Sequence, residues 1–253
     1  MVAAASKGLG YGIARILCEE GAQVSIASRT SDDIHQAAKT LKEETGAQVA
    51  GYVFDAKDPL SIKEWVNSTV ERFGGVDGLV VNAGGPPVGF FDDFSDQDWA
   101  SAFELTLLSA VRMIREVLPS MRKRGGGSVL TLTSSSVKEP IDVLILSNVM
   151  RSGVTSLAKS LSQQMAKEHI RFNNLVPGRM DTDRLRDLDR KVAKNKGISP
   201  EEEKAIQERV IPMGRYGTPL EFGRAAAFLL SDAASYVTGE TFIVDGGSMR
   251  TVW

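Results

Sequence analysis

The chain has 253 residues, 42% hydrophobic and 25% charged, with a formal net charge of −2. Such values fit a soluble globular protein with one sizeable core and give no general electrostatic reason to expect nucleic acid or an anionic membrane as partner. One cysteine excludes a disulfide framework within the chain, and the sequence shows no apolar run of about eighteen residues and no basic, apolar leader, so a cytoplasmic location is expected.

In chain order, a stub of strand at residues 1–3 leads into a glycine-rich turn, and short apolar runs recur at 24–28, 48–54, 78–81, 128–133, 171–176 and 241–244. These read as strands. Between them, apolar residues at helical spacing predict helices over 9–19, 32–44, 60–73, 97–123, 148–167 and 219–230. Such alternation implies a parallel sheet covered on both faces, and no linker or repeat divides residues 1–253 into more than one domain. Cys18 shares an apolar stripe with Ile13, Ile16 and Leu17 and is expected to be a buried hydrophobe. His35 and His169 sit on polar helical stretches without neighbours at metal-ligand spacing, so no metal site is expected.

Residues 183–210 break the alternation with a charged, helix-prone excursion just after a strand end, where a lid over a site would lie; a solvated excursion is the alternative. The stub at residues 1–3 is short for a strand that ought to be central, and the sequence is expected to start inside a longer polypeptide.

Between the stub and the first helix stands Ala4-Ala5-Ser6-Lys7-Gly8-Leu9-Gly10, glycines and free helix-start amides suited to an anion such as a pyrophosphate. Further on come Asp55-Ala56 after the third strand, Asn82-Ala83-Gly84 after the fourth, Pro177-Gly178 with Thr182 after the sixth, then Ile211-Pro212-Met213-Gly214-Arg215 and Val244-Asp245-Gly246-Gly247. In this order the motifs resemble the short-chain dehydrogenase/reductase family, in particular its 3-oxoacyl-acyl-carrier-protein reductases, although Ala3 and Ala4 replace the Thr and first Gly of the T-G-x-x-x-G-x-G signature. The resemblance implies a doubly wound, Rossmann-type α/β domain, here with a truncated first strand. It also implies a dinucleotide held by Ser6, Lys7, Gly8, Leu9, Gly10, Asp55, Ala56, Asn82, Ala83, Gly84, Pro177, Gly178 and Thr182. At the end of the second strand an acid would accept bonds from the ribose 2′-hydroxyl of NAD; the chain has Ser28-Arg29-Thr30 there, and with Lys7 these favour the 2′-phosphate of NADP over NAD.

The family's reactive site combines a Ser, a Tyr, a Lys four residues beyond the Tyr, and an Asn from the preceding helix. Ser134 matches the Ser, but Ser147 falls at the Tyr position, Arg151 at the Lys position and Thr106 at the Asn position, and no tyrosine lies on or just before the helix at 148–167. A serine hydroxyl is a far weaker acid than a phenol and a guanidinium stays protonated, so the pair cannot simply inherit the Tyr and Lys roles.

Three readings stay open. In the first, hydride transfer between NADP(H) and a carbonyl or alcohol continues, with Ser134 and Ser147 orienting the oxygen, Arg151 supplying fixed charge, and the proton coming from water or Lys138. The second is a cofactor-binding sensor or partner subunit without turnover. The third is a non-redox lyase or isomerase step. A structural reading of the pair has Ser147 as helix N-cap and Arg151 paired with an acid such as Asp142. Phe90, Phe91, Ile141, Leu144 and Met180 would give the substrate pocket apolar surface, and Lys138 and Arg179 could receive an anionic or carbonyl group. The family commonly pairs through the two long helices, which implies a homodimer or homotetramer, with Ala110, Val154, Leu157, Ala158 and Leu161 as candidate interface positions.

Overall fold

The strand runs adopt β1 (Val2–Ala3), β2 (Val24–Ser28), β3 (Val49–Val53), β4 (Gly78–Val81), β5 (Gly127–Leu132), β6 (Ile170–Pro177) and β7 (Thr241–Val244) in a computed structural model that describes residues 1–252. They pair in parallel in the order β3-β2-β1-β4-β5-β6-β7. The chain therefore reverses its direction of travel between β1 and β4, and in an open parallel sheet the crevice outside the carboxyl ends of the strands at that reversal is where ligands bind. This is the single-domain, doubly wound α/β architecture expected. Val2, Ala3, Ile26, Leu79, Val80 and Val129 are fully buried because helices cover both faces of the sheet.

One face carries α1 (Gly8–Glu19), α2 (Ser31–Thr45) and α9 (Pro219–Leu230); the other carries α3 (Pro59–Phe73), α5 (Ser109–Arg124) and α6 (Ile145–Met165). Local sequence sets their ends. Asp58 accepts a bond from the Leu60 amide at 2.9 Å ahead of Pro59, and Gly74 closes α3 at φ +80°. Trp65 on α3 is almost fully buried, its indole N–H donating to Ser25 Oγ at 2.9 Å. Cys18 is buried, and burial pushes its thiol up to about 11, as suits a small hydrophobe.

The single helix expected over 97–123 is instead α4 (Asp96–Ala102), a π-helical segment (Phe103–Leu108) and α5. Two cores demand the difference. Ala102 packs with Leu146 and Met150 of α6, whereas Ala110, Met113 and Ile114 pack on the sheet, and the widened turn rotates one set relative to the other. The same burial corrects the interface positions. Ala110, Val154 and Ala158 are buried in the sheet core and are committed within the chain, whereas Leu157 and Leu161 pack against that core only half-buried.

The excursion at 183–210 forms α7 (Asp183–Lys196) and α8 (Pro200–Val210). Buried Asp189 ties it to the body, accepting from Tyr216 Oη at 2.9 Å and pairing with Arg179 at 3.2 Å, while buried Glu203 accepts from Lys196 Nζ and Gln207 Nε2, each at 2.7 Å. Arg179 is thus spoken for, and Met180, 5% exposed, belongs to the core; neither is a free pocket wall. No helix among the described residues is long and apolar enough to cross a membrane.

Candidate active site

The glycine turn lies at the carboxyl end of β1. Lys7 begins α1 without a side-chain cap and the first turn holds no acid, so the uncapped amides and the positive end of the helix dipole are available to an anion. Gly8 has φ +64°, and a Cβ at position 10 would stand 2.4 Å from the Ala4 carbonyl oxygen, so main chain fills the space a side chain would need. Asn82, just past β4, donates through Nδ2 to Ala4 O at 3.4 Å, with Ala83 and Gly84 following in the same crevice. Thr182 caps α7 by accepting from the Leu185 amide at 3.3 Å, and its methyl carbon lies 3.7 Å from where a Cβ on Gly8 would be.

Gly178, after Pro177, leaves no room for a side chain, since a Cβ would fall 2.5 Å from that of Asp245. The Val244-Asp245-Gly246-Gly247 motif is structural here: Asp245 accepts from the Gly247 amide at 2.9 Å and the Met249 amide at 2.8 Å.

At the end of β2, Ser28 Oγ is buried with no protein partner, Arg29 and Thr30 are exposed, and Thr30 makes no side-chain cap to α2. A groove of about 590 Å³ beside them is lined by Ser6, Lys7, Tyr11, Asp32, Asp33, Gln36, Ala37 and Thr40. Asp32 and Asp33 lie beyond the last residues of the strand, where the sequence reading stopped. They are exposed acids in the first turn of α2, brought to the same groove as Lys7 by the β2–α2 turn. Asp55 is exposed and accepts from the Lys57 amide at 2.9 Å, while Ala56 is buried.

The reactive end is gathered from β5, α6 and the π-helical segment. Arg151 donates from Nη1 to the carbonyls of Leu132 at 2.9 Å and Thr133 at 3.3 Å, and from Nε to Ser147 Oγ at 3.2 Å. No acid among the described residues pairs with it, Asp142 included. Burial, and then the nearby positive Arg184, bring its pKa down to about 10. The N-cap expectation is also corrected, because α6 starts at Ile145 and places Ser147 inside its first turn. Only then can Ser147 and Arg151, four residues apart, meet on one helical face.

Ser134 follows β5, and its Oγ accepts from the Ser136 amide at 3.2 Å, leaving its own proton free to donate. Thr106 Oγ1, Thr133 Oγ1 and Ser136 Oγ are buried without protein partners, three unsatisfied hydroxyls on segments that meet α6 or end β5 beside it. Lys138 ends the short turn after Ser134, and its Nζ makes no bond or ion pair with a described residue.

The profile of the family described as enoyl-(acyl carrier protein) reductase matches residues 3–249. Dehydrogenase/reductase SDR family member 4 of Homo sapiens is 33% identical over 249 residues, 98% of this chain and 86% of that protein. The chain belongs to the short-chain dehydrogenase/reductase family of oxidoreductases. Among solved structures, L-sorbose reductase from Gluconobacter frateurii, complexed with NADPH and L-sorbose, superposes with a TM-score of 0.95 at 30% identity, covering 99% of this chain and 96% of that one. The NADPH-bound short chain oxidoreductase from Pseudomonas aeruginosa PAO1, described as containing an atypical catalytic center, superposes with a TM-score of 0.89 at 26% identity, covering 99% and 96%.

One cation beside the crevice of this short-chain dehydrogenase/reductase carries no mark in the sequence. Arg184, two residues past Thr182, lays its guanidinium against Gly85, where a Cβ would meet Nη2 at 2.4 Å and Nη1 at 2.9 Å. Only the direction of α7 reveals it.

Proposed function

We propose that the protein is an NADP(H)-dependent oxidoreductase that interconverts a carbonyl and an alcohol through a serine–arginine site in place of the tyrosine–lysine pair. The observation that carries this reading is the fixed position of Arg151. Two main-chain carbonyls at the end of β5 and the Ser147 hydroxyl hold its charge where the family's lysine would stand. The residues present fit the cofactor. Uncapped α1 amides and the close-packed Gly10 suit a pyrophosphate, and the buried, unpartnered Ser28 hydroxyl with Arg29, Thr30 and Lys7 suits a 2′-phosphate. NADPH-bound relatives of the same fold support that choice.

When bound, NADPH supplies the hydride. The chain's part is to hold the oxygen of the substrate and to deliver a proton to it. Because Ser147 Oγ accepts from Arg151 Nε, its own hydrogen is free to be donated, and Ser134 offers a second donor. Arg151 stabilises negative charge developing on that oxygen without giving up a proton, since its pKa stays well above neutrality. The proton itself comes from water, passed through the hydroxyls, or from Lys138. Without a phenol as general acid the chemical step is about 10²- to 10⁴-fold slower than the family's pair would allow, leaving catalysis to proximity and fixed charge. We further assign α7 and α8 as a lid, the protein as a cytoplasmic homodimer or homotetramer, and light scattering at micromolar concentration as the check on assembly.

The test is a panel of ketones, aldehydes and quinones with NADPH, and of alcohols with NADP, followed at the nicotinamide absorbance. Turnover with wild type and a loss of about 10²-fold or more in Arg151→Met is expected. Tight NADPH binding without turnover on any panel would replace the enzyme reading with a sensor. Substrate conversion without a change in cofactor oxidation state would replace it with a lyase or isomerase.

A further inference from the structure

The arginines of α7 differ in what they face. Arg186 is bonded to Asp181 and Asp183, and Arg190 to Asp187 at 2.5 Å, so their charges are answered within the lid. Arg184 makes no ion pair or hydrogen bond with a described residue. It turns instead toward Gly85, in the loop after β4, and lies close enough to Arg151 for the two like charges to be felt. Gly85 has no side chain to block it, and any Cβ there would stand within 3.0 Å of all three atoms of the guanidinium fork that face it.

Arg184 against Gly85, just past Asn82-Ala83-Gly84, and Arg151 at the end of β5 are thus two guanidinium groups at this crevice, neither paired with a carboxylate among the described residues. On the segments that pack against α6, and at the end of β5 beside it, Thr106, Ser136 and Thr133 bury hydroxyls that find no protein partner. Thr106 and Ser136 are 6% and 2% exposed, so these are enclosed groups rather than loose surface donors. Cations left unpaired beside buried donors describe a receptor for an anionic group. Phe90 and Phe91, farther along the loop that follows β4 and carries Gly85, are exposed apolar side chains.

Resting on the oxidoreductase reading above, we propose that Arg184 receives a carboxylate on the substrate, so that the protein acts on oxo acids or hydroxy acids. Arg151 with Ser147 holds the reacting oxygen; Arg184, carried on the lid, holds the anionic end. Because the planar fork can donate to both carboxylate oxygens, the carboxylate also draws α7 down over the bound substrate.

The experiment uses the enzyme saturated with NADP, which cannot reduce a ketone, and titrates it calorimetrically with 2-, 3- and 4-oxopentanoate, each against its methyl ester. At least one acid should bind about tenfold to a hundredfold more tightly than its ester, the range expected of one charge-assisted hydrogen bond. Arg184→Gln should abolish that preference and Arg184→Lys should restore part of it, while NADPH affinity, read by fluorescence, stays within about twofold of wild type. Arg184 is exposed on a helix, so both variants keep the fold, which NADPH binding itself verifies. Equal affinity for every acid and its ester overturns the proposal while leaving the oxidoreductase reading intact. A parallel loss of NADPH affinity in Arg184→Gln overturns it in favour of a cofactor phosphate as the anion. Failure of wild type to bind NADPH at all overturns the oxidoreductase reading and this proposal with it.

Discussion

At the phosphate end of the crevice the binding surface is made of main chain, glycine and one helix terminus, whereas at the β5–α6 end it is made of side-chain hydroxyls arranged around a guanidinium. The first surface leaves little room for sequence change. A Cβ at position 10 meets a backbone oxygen, and one at position 12 meets the Pro219 carbonyl at 2.5 Å, so neither neighbour can move aside cheaply. The second surface is open to substitution, because a side chain can be exchanged without disturbing the strand that carries it. Ser147 and Arg151, four residues apart on α6 and joined by a hydrogen bond, are the pair we propose as an instance: helix and spacing kept, side-chain chemistry changed. A fold can keep its cofactor cradle while its reactive groups drift.

The comparison can be broken most directly by reinstating the family's pair. Ser147→Tyr with Arg151→Lys should raise NADPH-dependent reduction of a generic reactive ketone by about 10²- to 10⁴-fold, since a lysine beside a phenol lowers its pKa and makes it a general acid. Each single change should gain little. Tyr alone would meet the guanidinium in a site only 7% exposed at Ser147, and Lys alone would have no phenol to act on. The measurement is turnover of wild type, both singles and the double, each shown to be folded and to bind NADPH. A folded, cofactor-bound double variant without gain would mean that the Ser134 and nicotinamide geometry has diverged along with the two side chains.

A smaller effect sharpens the view of the phosphate end. Arg29→Asp with Lys7→Ala should weaken NADPH by about 1.5 to 3 kcal/mol for each charge-assisted hydrogen bond removed, and NADH much less. The reverse change is equally informative, because Asp32 and Asp33 share the groove with Lys7 and oppose a 2′-phosphate. Asp32→Asn with Asp33→Asn should tighten NADPH severalfold and leave NADH nearly unchanged. Fluorescence titrations of both cofactors check the pair of predictions, and equal shifts for NADPH and NADH in either variant would remove these residues from 2′-phosphate recognition.

What could be read from the sequence follows the same division. Strand runs, the glycine turn and the motif order specify the sheet and the cradle, because they depend on local backbone geometry and on period. Counting from the end of β5 also singled out Ser147 and Arg151, which the structure joins through a bond from Arg151 Nε to Ser147 Oγ. What else holds Arg151 was not legible: its other partners are main-chain carbonyls of Leu132 and Thr133, nineteen and eighteen residues away, which carry no side-chain signature. The π-helical segment at Phe103–Leu108 escaped for another reason. One widened turn barely alters an apolar period, yet it decides which core Ala102 and Ala110 enter. Ala110, Val154 and Ala158 looked like surface pairing positions because a buried face and an interface have the same composition. Arg184 and the Asp32–Asp33 pair needed the direction of α7 and the turn before α2, both set by tertiary packing.

The smallest predicted effect tests whether the cradle is supported from outside the crevice. Glu221 sits in the first turn of α9, accepting from Arg215 at 3.0 and 2.6 Å, from the Thr218 amide at 2.8 Å and from the Thr218 hydroxyl at 3.1 Å. The Arg215 guanidinium, followed by the Thr218 bonds, holds its carboxyl down at about 2. Because the folded-state value lies below the unfolded one, the stabilisation is complete above about pH 5 and is lost as pH falls toward 2. The helix it caps packs Pro219 and Gly223 against Gly12 of α1, so loosening this end loosens the helix whose first turn we propose as the pyrophosphate site. Glu221→Gln should cost about 1 kcal/mol at neutral pH, comparable to removal of other helix caps, which for a chain of this length lowers Tm by about 2–4 °C. The exposed ion pair adds little of its own. The gap between wild type and variant should stay constant from about pH 8 to 5 and close steadily below it, with NADPH affinity in that range weakened in the variant by less than Arg29→Asp with Lys7→Ala weakens it. A gap in Tm that persists unchanged down to about pH 3 would mean that the capping bonds survive protonation and that the charge on Glu221 contributes nothing to the cradle.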